Sequence, residues 1–171
     1  MILFAMASAT RQTLAMHASV IVCDGYGYLF LGKSGTGKST HSRLWLENIP
    51  HSRLLNDDNP VVGFTPQGRL KVYGTPWSGK TPCYINDSVQ VGAFVDLAQY
   101  PENRIRRMGV LESIAAFIHS CSGLRKIESI ADGLDNTMVR ILETVPVYHL
   151  DCLPDKGAAI LCHETVKAIK S

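Results

Sequence analysis

The chain of 171 residues carries a formal net charge of +2, and 46% of its residues are hydrophobic while 19% are charged. This length fits one domain with a substantial core, and the composition is that of a folded globular protein rather than a disordered chain. The small net charge, the lack of a long basic tract and the lack of an apolar run of roughly 18 residues argue against nucleic acid and a membrane as partners.

Hydrophobic periodicity and turn chemistry predict several consecutive strands before most of the helices. The predicted strands cover residues 18–23, 28–31, 53–56, 61–64, 70–73, 91–97 and 147–150. The predicted helices cover residues 2–15, 39–47, 111–119, 131–143 and 155–169. Hairpin turns are predicted at 24–27 and 65–68, and loops at 74–82 and 104–107. This order favours an α/β fold with a mixed β-sheet and with helices mainly in the C-terminal half, over a fold that alternates strands and long helices.

The whole chain, residues 1–171, is expected to form a single domain. Its first residues are apolar, without the polar lead that is common at a natural terminus, so the chain is also a candidate for the C-terminal part of a longer protein. Five cysteines with no C-x-x-C pair indicate neither a disulfide framework nor a zinc site. This cysteine usage fits a reducing, cytoplasmic location.

The run GKSGTGKST at residues 32–40 satisfies the phosphate-loop pattern G-x-x-x-x-G-K-[ST] at every position. Glycines let the backbone curl until several N–H groups point at phosphate oxygens, while Lys38 adds a positive charge and Ser39 offers a hydroxyl to a magnesium ion. A strand is predicted before the loop and a helix after it, which places the positive end of the helix dipole at the ligand. The expected nucleotide-binding residues are Gly32, Ser34, Gly35, Thr36, Gly37, Lys38, Ser39 and Thr40.

Two adjacent carboxylates, Asp57 and Asp58, follow the strand predicted at 53–56. Magnesium bound to a nucleotide takes a protein carboxylate as well as the loop hydroxyl, and phosphoryl transfer needs a group that orients or deprotonates the attacking oxygen. Neighbouring strand residues point to opposite sides, so one carboxylate can face the metal while the other faces the acceptor. The alternative is that the pair caps the turn into Asn59 and Pro60.

Three features resemble the catalytic domain of HPr serine kinase/phosphorylase: His17 at the opening of a strand, the loop at 32–39, and Asp57 with Asp58 at a strand end. That domain is similar in turn to the nucleotide-binding core of ATP-dependent phosphoenolpyruvate carboxykinase. The motifs that carry the resemblance lie within residues 15–62, and the rest of the chain resembles the family only in the order of its elements. The sequence as a whole looks most similar to compact proteins called phosphoenolpyruvate carboxykinase-like.

The resemblance implies a P-loop domain of the phosphoenolpyruvate carboxykinase/HPr kinase type with a catalytic set of Asp57, His17 and Lys38. In this assignment Asp57 is the general base toward a hydroxyl acceptor, and Asp58 joins Ser39 at magnesium. His17 would lie near Asp57 and tune its charge. Because HPr kinases assemble as hexamers, a homo-oligomer is a further expectation.

The family has a glycine-containing signature with an acidic residue after the second hairpin, and this sequence lacks it. The loop at 74–82 stands in its place, and its glycines, hydroxyls and lysine suit an anionic substrate. Trp77 and Lys80 are the expected substrate contacts, although a rigid proline-bounded connection would have the same composition. Arg104 or Arg106 could neutralise charge on the transferring phosphoryl group.

The expected function is a magnesium-dependent kinase that moves the γ-phosphoryl group of ATP to a hydroxyl, either on a protein serine or on a small molecule. One alternative is phosphoenolpyruvate carboxykinase chemistry, for which a chain of this length offers little room. The other alternative is a regulatory nucleotide-binding module without turnover, which would not need a base beside the metal.

Overall fold

The computed structural model of the protein describes residues 11–79, 83, 85–122 and 128–167. Within these residues it contains ten strands and four helices. The strands are β1 Thr13–Met16, β2 Ala18–Cys23, β3 Tyr26–Leu31, β4 Arg53–Asp58, β5 Val61–Phe64, β6 Leu70–Tyr73, β7 Ser88–Gln99, β8 Arg104–Arg107, β9 Cys121–Ser122 and β10 Val147–Cys152. The helices are α1 Lys38–Asn48, α2 Val110–Ser120, α3 Glu128–Thr144 and α4 Lys156–Lys167.

The strands form one mixed sheet in the order β4-β2-β3-β7-β6-β5-β1-β9, with β10 between β7 and β8. Strand β7 is parallel to β3 and to β10, and the other pairings are antiparallel. One edge of β7 pairs with β3, while the other edge pairs first with β6 and then with β10. The sheet therefore branches at β7, which is its central strand.

Helices cover both faces of the central strands because side chains along a strand alternate between the two faces. On one face Leu29 and Leu31 of β3 pack in the same core as residues of α2 and α3. On the other face Tyr28 and Phe30 of β3 pack with residues of α1 and α4. Three of the four described helices follow β8 in the chain, which confirms the expected mixed α/β fold with helices mainly in the C-terminal half.

The strands β1 and β8 correct two predictions. The predicted helix at 2–15 lies outside the described residues up to residue 10, and its last residues are strand β1, which pairs antiparallel with β5. The predicted loop at 104–107 is strand β8, which pairs antiparallel with β10. Both segments are short and gain their hydrogen bonds from partners distant in sequence, so local propensity does not reveal them.

Within the residues that the structure describes, no helix combines the length and the apolar character that a membrane crossing needs.

Candidate phosphate-binding site

The loop between β3 and α1 has the backbone of an anion cradle. Gly35 and Gly37 have φ angles of +83° and +110°, which side chains with a Cβ rarely adopt. A Cβ on either residue would meet nothing within 4 Å, so the backbone conformation, not lack of space, requires glycine there. Gly37 is the N-cap of α1, and because glycine has no side chain, no capping side chain covers the first N–H groups of the helix. The loop thus presents the N-terminus of α1 to an anion.

Lys38 lies almost buried at the start of α1, with 9% of its surface exposed. Its Nζ donates to the carbonyl oxygens of Gly32 at 2.7 Å and Lys33 at 3.2 Å, and lies 3.1 Å from Nε2 of His17. Burial lowers the pKa of Lys38, and the nearby carboxylates of Asp58 and Asp57 oppose that shift. The ammonium group is therefore held inside the loop, where a phosphate can take over its hydrogen bonds.

Lys38, His17 and Asp58 form a chain of hydrogen bonds. When the ammonium of Lys38 donates to Nε2 of His17, the ring hydrogen must lie on Nδ1, because a neutral imidazole has one donor and one acceptor. Nδ1 lies 2.8 Å from Oδ1 of Asp58 and can donate to it. The imidazole thus connects the loop lysine to the second strand-end carboxylate.

Ser39 and Asp57 form the other half of the site. The Ser39 hydroxyl donates to Oδ1 of Asp57 at 2.9 Å, and Asp57 is 5% exposed. Strands β3 and β4 both pair antiparallel with β2, so they run in the same direction and their carboxyl ends meet at one edge of the sheet. The loop after β3 and the carboxylates that end β4 are therefore neighbours.

The expected contact between His17 and Asp57 is not found. The structure pairs His17 with Asp58 and Ser39 with Asp57, which is opposite to the pairing that the family resemblance implied. The reason is the alternation of side chains along β4, which turns Asp57 toward α1 and Asp58 toward the segment between β1 and β2.

A cavity of about 580 Å³ contains both halves of the site. Most of the predicted nucleotide-binding residues line it, together with the histidine and both aspartates. Of the predicted set, Gly32 and Thr36 lie outside this cavity, where Gly32 accepts a hydrogen bond from Lys38 and the Thr36 hydroxyl donates to the carbonyl of Lys33. Those two residues shape the loop.

The side chains beside Ser39 suit a magnesium ion. Mg²⁺ prefers hard oxygen ligands and usually keeps several waters, with one or two carboxylates completing its shell. The Ser39 hydroxyl and the Asp57 carboxylate supply such oxygens at the floor of the cavity. The donor set therefore fits Mg²⁺ bound together with a nucleotide.

The segment 74–79 is tied to the end of β4 by residues that the sequence reasoning missed. The side-chain amide of Asn56, which is fully buried, donates to the carbonyls of Thr75 and Trp77. The N–H of Gly79 donates to the carbonyl of Asp57 at 2.8 Å. In the sequence, this asparagine follows two leucines and directly precedes two aspartates. A polar side chain at such a position is expected to be buried and to need hydrogen-bond partners, which would have indicated a nearby segment that supplies them.

The predicted substrate residues have different outcomes. Trp77 lines a separate cavity with Pro76 and Tyr73, and it does not line the phosphate cavity. Lys80 lies outside the described residues. Arg104 on β8 lies 3.6 Å from Asp151 and over the ring of Tyr100. Their expected contacts with substrate stay predictions.

A second cluster of ionisable residues lies at the other side of the loop. Asp96 on β7 is the register partner of Leu31, the last residue of β3, so it sits directly beside the loop. The ring of His149 lies between two carboxylates, 3.1 Å from Asp96 and 3.3 Å from Asp151. An acidic residue near the end of an apolar parallel strand was the available signal for this cluster.

The fold and the site define a mixed α/β, P-loop-like domain. No family model matches the sequence, and no curated protein matches it. A solved structure of the HPr(Ser) kinase/phosphatase from Coxiella burnetii is similar to this chain, with a TM-score of 0.50 and 15% identity over 91% of this chain and 90% of that chain. The fold of the chain is therefore distantly similar to that of HPr kinase.

Proposed function

We propose that this protein is a magnesium-dependent phosphotransferase that uses ATP and moves its γ-phosphoryl group to a hydroxyl acceptor. The observation that carries the proposal is that the loop lysine, the loop serine, both strand-end aspartates and the histidine line one cavity. A module that only bound nucleotide would need the loop and a metal ligand but not a second carboxylate held by a histidine. The HPr-kinase-like fold supports the same class of reaction.

Asp57 is proposed as the carboxylate on the metal side, because its oxygen lies 2.9 Å from the Ser39 hydroxyl. A magnesium ion held there would neutralise charge on the phosphate oxygens. Lys38 would exchange its bonds to the loop carbonyls for bonds to the phosphates. These contacts position the nucleotide and stabilise the charge that develops during transfer.

Asp58 is proposed as the general base. It is the more exposed of the two carboxylates, with 31% of its side chain accessible, and it faces the same cavity. The N–H of His17 orients it by donating to one oxygen, which leaves the other oxygen to accept the proton of the acceptor hydroxyl. The roles of Asp57 and Asp58 are thus exchanged relative to the assignment that the family resemblance implied.

Matched Asp→Asn substitutions test this division. Asp57→Asn should remove most of the gain in ATP affinity that magnesium provides, whereas Asp58→Asn should leave ATP·Mg affinity within about twofold and lower transfer by about 10²–10⁴-fold. Affinity is measured by isothermal titration calorimetry, and transfer from labelled ATP is measured to serine-containing peptides and to small alcohols. Asp132→Asn, an exposed change on α3, is the control and should alter neither quantity.

The opposite pattern, in which Asp57→Asn keeps affinity and loses transfer, would return the base role to Asp57. ATP that stays bound and intact with every acceptor would support the regulatory module instead. Phosphoenolpyruvate formed from oxaloacetate and ATP would support the carboxykinase alternative. The acceptor, whether a protein serine or a small molecule, and a homo-oligomeric state stay predictions.

A further inference from the structure

A second cavity of about 540 Å³ lies against the loop, and neither Asp57 nor Asp58 lines it. Four parts of the chain form it: the loop at 35–37, the first turns of α1, the end of β7 with the residues after it, and the end of β10 with the residues after it. Its volume falls in the range of small-molecule sites, roughly 300–1,000 Å³. None of the residues proposed for catalysis lines it.

This second cavity shares part of its wall with the phosphate cavity. Gly35, Gly37 and Thr40 line both of them. A ligand whose phosphates lie in the loop can therefore extend across these residues into the second cavity. The direction is also the expected one, because β3, β7 and β10 are parallel and ligands of open α/β sheets bind beyond the carboxyl ends of such strands.

The walls of the second cavity suit a flat, largely apolar group. Leu44, Leu97, Leu153 and Pro154 supply aliphatic surface, and Tyr100 supplies a ring that lies under the guanidinium of Arg104. Apolar walls with a few polar groups are the usual lining of sites for heteroaromatic ligands. Contact with an aromatic ring is favourable for every nucleobase, since each has a π face.

The wall also includes the buried ring of His41. His41 is 3% exposed, and its Nε2 accepts a hydrogen bond from Trp45 at 3.1 Å. The ring hydrogen must then lie on Nδ1, which has no hydrogen-bond partner among the described residues. Nδ1 is itself shielded from the cavity, so His41 contributes ring surface to the wall and not a hydrogen-bond donor.

From these observations, and on the basis of the proposed function, we infer that the second cavity binds the purine base and ribose of the nucleotide. We also infer that it selects weakly between adenine and guanine. The side-chain amide of Gln99, the one carboxamide in the described lining, already donates to the carbonyls of Gly35 and Thr36, and the described lining holds no carboxylate. Without such groups to match the edge of one base, ATP and GTP should differ in affinity by less than about tenfold.

Calorimetric titration with ATP, GTP and inorganic tripolyphosphate tests the inference on the intact chain in the presence of magnesium. The wild type should bind ATP at least about tenfold more tightly than tripolyphosphate, because a stacked base and ribose add favourable contact. Leu153→Glu should remove that advantage and leave tripolyphosphate affinity within about twofold, since the change places a charge in the nucleoside cavity but not at the phosphates. Leu153 is 39% exposed, so the variant should keep the fold.

Leu46→Glu is the matched control, because Leu46 is 42% exposed on the same helix as Leu44 and does not line the cavity. It should bind all three ligands like the wild type. Equal affinity of the wild type for ATP and tripolyphosphate would overturn the nucleoside site and leave the phosphate site standing. A difference between ATP and GTP of more than about tenfold, in either direction, would overturn the weak selectivity. Failure to bind any of the three ligands would overturn the proposed function and this inference with it.

Discussion

The buried imidazole of His41 makes the stability of the protein depend on pH. Burial lowers the pKa of His41 from 6.5 to about 4, so the ring stays neutral in the folded protein at pH values where it is protonated in the unfolded chain. The unfolded state therefore binds more protons between these two pKa values, and folding stability falls as the pH drops from 6.5 toward 4. This group alone accounts for at most about 3 kcal/mol of that loss.

Urea unfolding of the wild type and of His41→Gln at pH 7 and pH 4.5 tests this pH dependence of stability. Glutamine can still accept the hydrogen bond from Trp45, but it does not titrate. We expect the variant to lose less stability than the wild type over this interval. Equal losses in the two proteins would show that His41 does not titrate as its burial implies.

Residue chemistry explains which parts of the site the sequence could predict. The loop pattern specifies its own geometry, since glycines at fixed spacing adopt positive φ and the lysine and serine follow from that backbone. The pair Asp57 and Asp58 was also found, but its two members were assigned the wrong neighbours. Which side chain of two adjacent strand residues turns toward α1 depends on the strand's rotation in the sheet, and no local pattern encodes it.

The contact between the segment 74–79 and β4 predicts that a side chain at Gly79 is destabilising. A Cβ on Gly79 would lie 2.6 Å from the carbonyl oxygen of Asp57 and 3.3 Å from Cβ of Asp58. Gly79→Ala should therefore push the segment away from the strand end, at a cost of about 1–3 kcal/mol. Thermal unfolding followed by circular dichroism measures the loss.

Gly109→Ala is the control for that change. A Cβ on Gly109 would meet only Glu112 Oε2, at 3.8 Å, and the residue has an ordinary φ of −74°. This variant should stay within about 0.5 kcal/mol of the wild type. If Gly79→Ala is as stable as Gly109→Ala, the close approach of the segment to β4 is wrong.

Most strands and helices were predicted because their periodicity and turn residues agree with the fold. The turn at Asp24 and Gly25 and the hairpin between β5 and β6 are examples, with glycines at positive φ where the chain reverses. Strand β8 was missed because its four residues include three arginines, a composition typical of a solvated loop. Its pairing with β10 is supplied by tertiary structure, and Glu112 and Asp151 balance its charge.

The branching of the sheet at β7 predicts cooperative unfolding. Neighbouring residues of β7, Phe94 and Val95, belong to the cores on opposite faces of the sheet. Neither core can lose its packing without disturbing this strand. We expect a single unfolding transition that involves both cores.

Urea titration with two probes checks this expectation. Trp45 is fully buried in the core under α1 and α4, so its fluorescence in a Trp77→Phe background follows that core alone. Circular dichroism follows the secondary structure that packs in both cores. The two midpoints should coincide, and a fluorescence change at clearly lower urea would mean that the two cores unfold separately.

The order of elements around the loop between β3 and α1 has a consequence for how the sequence can change in evolution. The five site residues belong to one uninterrupted stretch of chain, from His17 directly before β2, through β3 and α1, to Asp58 at the end of β4. The apolar walls of the second cavity, and the arginine-rich strand β8, come mostly from later in the chain. Under the proposed function, reactivity and recognition are encoded in separate stretches, so the later stretch could diversify toward new partners while the earlier one keeps its chemistry.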